Sequence, residues 1–348
     1  MTHNITRMAV CLLLLACVAT FASAANKDRI GTAGAQELLI PVGARTTAIG
    51  ASSMVFATGA EAIYWNPAGL GRMGTNVDAL LSSMNYMADI GVVYGAIGVK
   101  AGDLGNLGFS IKSINFGSIP VTTADFPDGT GQVYSPVFLT LGATYAKALT
   151  DRIAVGVTAD LVSERIMQLS ASAIAFDVGI QYQNLAVQGL NLGVAVKHIG
   201  GGLAFSGTNL LVNADATSGL RGTQQYAIVA ATADLPSCVE IGLGYSRKFD
   251  EKNGVELGVA YRSNNYLEDE YNLGAEYEFT NTLFLRGGYT FAPQSVKDIA
   301  DERSYVYDYT LGAGLHYPVG DVDISIDYAY QHVKFFTGNN VFTLRLGF

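Results

Sequence analysis

Residues able to do chemistry are present in this chain, but they are not grouped for catalysis. There is no G-x-S-x-G, no phosphate-binding loop and no H-E-x-x-H. His198, His316 and His332 have no cysteine close by in sequence, and His3 falls in the N-terminal leader. No enzymatic activity, metal or cofactor is expected. The pattern does offer charge at alternate positions of otherwise apolar stretches: Asp160, Asp177, Lys197, Glu256, Arg262, Glu276, Glu278, Arg286, Asp308, Asp323, Asp327 and Arg345. Charges so placed do electrostatic work. They form a selectivity field, a latch for an internal segment, or a paired interior that stiffens a wall. Arg262, Glu276 with Glu278, and Arg286 fall on three successive segments and are expected to meet across a sheet. Glu268-Asp269-Glu270 and the acidic run at 298–302 admit a surface cation, or plain solvation.

Strands must position these residues. In 174–182, Ile174, Phe176, Val178, Ile180 and Tyr182 alternate with Ala175, Asp177, Gly179 and Gln181, and most later segments repeat this period of two. Fourteen strands are predicted near 77–87, 91–100, 106–116, 134–147, 153–165, 172–183, 189–199, 236–248, 254–263, 270–279, 283–291, 305–317, 321–331 and 340–348. Residues 226–234 are assigned to a loop or to an extension of the next strand. Short connections alternate with longer ones, as in outer-membrane barrels. Apolar-Gly-apolar-x-Tyr recurs at Leu141–Tyr145, Val178–Tyr182, Ile241–Tyr245, Leu257–Tyr261 and Leu273–Tyr277. The tyrosines suit an interfacial girdle. The glycines share the polar face, where something inside would press, or where they merely relieve crowding. The last strand ends on Phe348, which resembles the signal read by outer-membrane assembly machinery.

Composition agrees. Residues 1–24 read as a signal peptide: Arg7, an apolar run from Met8 to Thr20, then Ala22-Ser23-Ala24. Lipoprotein processing at Cys17 is the rival, and Leu15 fits it poorly. Cleavage leaves Cys238 as the one cysteine, hence no intrachain disulfide. It also leaves 20 basic against 30 acidic residues, which excludes a nucleic-acid footprint. Only 15% of residues are charged, yet no later apolar run approaches the ~20 residues of a membrane helix. Apolar surface spread over short alternating segments points to a transmembrane β-barrel in the outer membrane, in contact with its lipid and lipopolysaccharide.

One stretch is unlike the rest. Gly43 to Gly71 is rich in small residues and holds the only tryptophan, followed by Asn66-Pro67-Ala68-Gly69. With Gly43-Ala44-Arg45, Gly50-Ala51 and Ala60-Glu61-Ala62, Trp65 to Leu70 resembles the N-terminal hatch of the FadL superfamily, closest in wording to the PorV/PorQ branch associated with type IX secretion. The expected organisation is a signal peptide (1–24), a hatch or plug (25–75) and a barrel (76–348). The resemblance implies a docking or shuttle component working with secretion-system proteins. The alternative is a FadL-like transporter of long-chain fatty acids or other hydrophobic small molecules with lateral exit. In FadL-type transporters the third strand carries a kink that opens a lateral exit. Here Leu107, Phe109 and Ile111 are out of phase with Ile114 and Phe116, so a bulge near Lys112–Ser113 is expected, either as a portal or as a rim irregularity.

Overall fold

A computed structural model describes residues 29–215, 223–293 and 305–348. The leader and the acidic run at 298–302 lie outside the described residues. Fourteen antiparallel strands close a barrel: β1 Val77–Tyr86, β2 Ile90–Lys100, β3 Asn106–Asn115, β4 Val137–Ala148, β5 Ile153–Ile166, β6 Leu169–Tyr182, β7 Leu190–Gly200, β8 Cys238–Lys248, β9 Asn253–Asn264, β10 Glu270–Phe279, β11 Leu283–Phe291, β12 Tyr307–Val319, β13 Val322–Val333 and β14 Asn339–Gly347. Each strand pairs with its neighbours in sequence, and β1 pairs with β14 from Asp78↔Gly347 to Asn85↔Asn340, sealing the seam. Closure satisfies every ladder without an exposed edge. Phe348 completes the seam, donating to the Val77 carbonyl at 2.9 Å and accepting from Asn76 at 2.7 Å.

One end of the barrel carries tight links such as 149–152, 280–282 and 320–321 and both strand termini; it is called the turn end. The loop end carries the long connections 116–136, 201–237 and 292–306. Within 201–237, Leu211–Ala214 and Gln224–Ala227 form a small hairpin outside the wall, so 226–234 adds no barrel strand. Outward positions are apolar all round, including Leu81, Phe109, Leu161, Leu257, Leu311 and Phe342.

The core is the leading segment itself. Residues 29–72 run down the bore as short helical turns: Gln36–Leu39, α1 Ala44–Ala48, Gly50–Val55, Gly59–Glu61, α2 Ala62–Trp65 and Pro67–Arg72. This explains why β1 and β2 alternate weakly in sequence. Leu80, Met84, Val92 and Tyr94 point inward onto the plug while Leu81, Val93 and Ile97 point out, so both faces are apolar.

Candidate functional site

The 65–69 motif is a joint between plug and wall. The Trp65 indole N–H donates to the Val42 carbonyl at 2.9 Å, pinning the earlier limb of the plug. Asn66 caps the next turn: its side-chain oxygen accepts from Ala68 N at 3.2 Å, and Pro67 takes the first position, where no donor is needed. Its Nδ2 donates outward to Ile180 O of β6 at 3.2 Å. Gly69 lies against the Ala57 carbonyl, where no side chain fits. Short irregular turns leave many backbone groups unpaired, and wall side chains serve them. Gln181 donates to Met54 O and Ala57 O at 3.0 Å each, Thr310 to Ala48 O at 2.7 Å and Asn106 to Leu70 O at 2.6 Å.

The wall is hollowed to receive this segment. Gly244, Gly258, Gly274 and Gly288 are direct cross-strand partners on β8 to β11, forming one row. A Cβ on them would meet Phe56, Ser52, the Ile49 carbonyl and the Ala48 carbonyl respectively. Of the five repeat glycines, Gly179, Gly242, Gly258 and Gly274 face the plug; Gly142 instead meets Ser110 and Asp160 of the wall.

The charged residues separate into distinct clusters, with Arg45 of α1 at the centre of the largest. Its Nε donates to Glu276 at 2.9 Å and its Nη2 to Glu256 at 3.0 Å, while Nη1 lies 3.5 Å from Glu61 of the plug. Glu276 also receives Arg286, which reaches Asp327. Arg262 does not join them. Register sets it opposite Glu270, and it pairs with Glu240 at 2.8 Å and Glu270 at 3.0 Å, because strand adjacency does not fix height along the axis. Glu278 pairs with the exposed Lys248 at 2.9 Å and Asp308 with His332 at 2.7 Å. Arg345 holds Asp78 and donates to Thr58 O at 3.1 Å, a second tie to the plug. Asp269 accepts from Tyr261 at 2.9 Å and Asn264 N at 3.0 Å, and Glu270 holds Arg262, so two of the three acids at 268–270 are engaged internally. Among the described residues no cluster of three or more His, Cys, Asp or Glu could hold a metal.

The bulge expected at Lys112–Ser113 is absent. β3 pairs one-to-one with β2 and β4 throughout, including Lys112↔Tyr94 and Lys112↔Thr140. Ile114 is inward in unbroken phase and packs with Met84, Val92 and Val341; the apparent slip is an apolar patch of the lumen. A bulge does occur between β6 and β7, where Asp177 alone opposes Lys197 and His198. His198 takes φ +59°, its N–H donates to Asp177 at 2.7 Å, and both Lys197 and His198 turn inward. The Lys197 and Lys112 ammonium groups lie 4.2 and 4.7 Å from the Tyr64 ring. Lys112 also donates to the Glu37 and Ile40 carbonyls at 2.7 and 2.5 Å, clamping the upper plug. Burial and the neighbouring Glu164 push the Glu37 carboxyl up to about 8.

Two cavities flank α1. That on the turn-end side, about 310 Å³, is charged and lined by Arg45, Glu276, Arg286, Asp327 and Arg345. The other, about 430 Å³, opens toward the loop end above Thr47, Ala51 and Trp65. One of its sides is apolar and aromatic, with Tyr86, Ile114, Phe116 and Phe138; Phe116 and Phe138 meet edge-to-face at 4.8 Å. The opposite side carries Arg262, Glu270, Asn272 and Thr290. An apolar pocket with a few convergent polar groups is the form of a small-molecule site. No sequence signal marked it, since its walls come from the plug and nine strands.

Solved structures share this architecture. A FadL homologue from Pseudomonas aeruginosa superposes with a TM-score of 0.53 at 13% identity, covering 88% of this chain and 98% of its own. The fold is that of the FadL-type barrels. The toluene transporter TbuX of Ralstonia pickettii gives 0.52 at 16% identity over 86% and 98%. A deletion mutant of TodX, a monoaromatic hydrocarbon channel, gives 0.50 at 13% over 87% and 97%. No family model matches the chain, and no curated protein matches it by sequence. These neighbours are FadL-type channels rather than enzymes; closeness to the PorV/PorQ branch rests on the wording of residues 43–71 alone.

Proposed function

We propose that this protein is an outer-membrane channel for small hydrophobic molecules, which it admits from the loop end into the cavity above the plug. One observation carries the reading: an aromatic-lined cavity of about 430 Å³ lies inside a barrel whose outer face is apolar all round. The outward belt suits lipid and lipopolysaccharide, and the long loops would face outside. A toluene transporter and a monoaromatic hydrocarbon channel share the fold, which supports the same substrate class. Phe348 at the seam suits recognition by barrel assembly machinery. The secretion-docking reading is weaker, because the residues that carry its wording are enclosed. Trp65 is 2% exposed and Asn66 fully buried, so they mark a hatch and reach no partner.

Trp65 is the only tryptophan and lines the cavity, so its fluorescence reports occupancy. Titrating the detergent-solubilised protein with toluene should give saturable quenching, lost when Ile114→Phe fills the cavity without adding a second tryptophan. Proteoliposomes should take up toluene faster than empty vesicles. Absence of both saturation and uptake overturns the channel reading.

A further inference from the structure

Resting on that reading, the structure assigns a narrower substrate class: we infer that the cavity takes uncharged aromatic molecules bearing a hydroxyl group, and rejects carboxylates. Three observations converge. The aromatic side, with Tyr86, Phe116 and Phe138, offers edges and faces for a ring.

Charge on the opposite side is already committed. Arg262 is the one cation lining the cavity among the described residues, and Glu240 and Glu270 hold it at 2.8 and 3.0 Å. Glu270 lines the same space, so an entering carboxylate meets that acid and no free cation; Glu37, which also lines it, is held mainly protonated near neutral pH and offers no positive charge. Lys112 cannot help, because its ammonium is bound to plug carbonyls. A like charge held at short range in a partly dry pocket weakens binding by roughly tenfold or more.

The third observation is an unmet demand for hydrogen bonds. Asn272 is 3% exposed; its side-chain oxygen accepts from Thr290 at 2.7 Å, while its Nδ2 has no partner among the described residues. Thr47, 2% exposed, likewise has an unpartnered hydroxyl. Both line the cavity. Buried polar groups are nearly always paired, so these orphans around one pocket, with the unpartnered Glu37 carboxyl beside them, point to a missing partner. A phenolic oxygen can accept from Asn272 and donate to Thr47. A pure hydrocarbon satisfies neither, and a carboxylate can accept only against the charge.

The test uses three ligands of one shape, toluene, p-cresol and p-toluate, titrated against Trp65 fluorescence of the intact barrel near neutral pH. p-Cresol should bind roughly five- to tenfold tighter than toluene and more than tenfold tighter than p-toluate. Asn272→Leu should bring p-cresol down to toluene, and Glu270→Gln should strengthen p-toluate by removing the lining acid and leaving Arg262 to Glu240 alone. Equal binding of p-cresol and toluene, or tightest binding of p-toluate, overturns this inference while leaving a hydrophobic channel intact. Failure of all three ligands overturns the channel reading itself.

Discussion

Arg45 is the test of whether the plug is latched. It is 17% exposed and joins plug Glu61 to wall Glu256 and Glu276. Arg45→Ala strips three carboxylates of a shared cation at once. Breaking a buried pair costs about 3–5 kcal/mol. Arg286 still neutralises Glu276, and Glu256 is 29% exposed, so the low end applies. About 3 kcal/mol is a factor of roughly 150 in the ratio of docked to undocked plug. Two assays read that ratio. Conductance across a planar bilayer should change from quiet to frequent openings, because a fourteen-stranded bore without its plug passes ions. A Ser53→Cys reporter, buried in the plug at 1% exposure, should react with a water-soluble thiol reagent about a hundredfold faster in the Arg45→Ala background. Cys238→Ser removes the native thiol from the measurement. Wild-type quietness and wild-type labelling in a barrel shown to be closed by gel mobility would refute the latch.

The glycine row yields a matched pair. Gly274→Ala should lower the unfolding temperature, since its Cβ would overlap the Ile49 carbonyl, whereas Gly287→Ala on the outer face meets nothing nearer than 3.8 Å and should be silent. Asn66→Ala removes a cap and a bond to Ile180 O, and should cost about 1–2 kcal/mol in thermal unfolding. Glu37 gives a pH dependence. Its carboxyl stands at about 8 in the fold against an ordinary 4.5, with Glu164 and Lys112 facing it. The folded state therefore favours the protonated form. Stability is full below about 4.5 and falls as pH rises through 8, a slope that Glu37→Gln should flatten in melting curves taken across that window.

Much of the barrel is legible because lipid-facing and lumen-facing residues differ in kind. Where the lumen is filled, that contrast fails. Ile114 and Phe116 look like a phase slip only if inward means polar; a plug makes inward apolar, and the strand is regular. The real bulge at Lys197–His198 is invisible for the opposite reason, since two polar residues at a strand end carry no period. Arg262 shows a second limit: strand order follows from sequence, but register comes from turn geometry, and register decides that it meets Glu270 rather than Glu276. Arg45 and Glu61 stand in the hatch wording, but a segment of short turns has no periodicity from which to read the side they face.

The leading segment enters among the loops, where Arg29 reaches Asp234 at 3.2 Å and Gly31 N donates to Tyr266 O at 3.0 Å. It leaves among the turns, where Arg72 holds Gln183 and the Arg152 carbonyl. The polypeptide thus begins its described course on one rim of the cylinder and finishes, at Phe348, on the other. With the loops facing outside, as the proposed function has them, a peptide fused ahead of residue 29 would be displayed to the outside world, while one fused behind Phe348 would stay beneath the membrane.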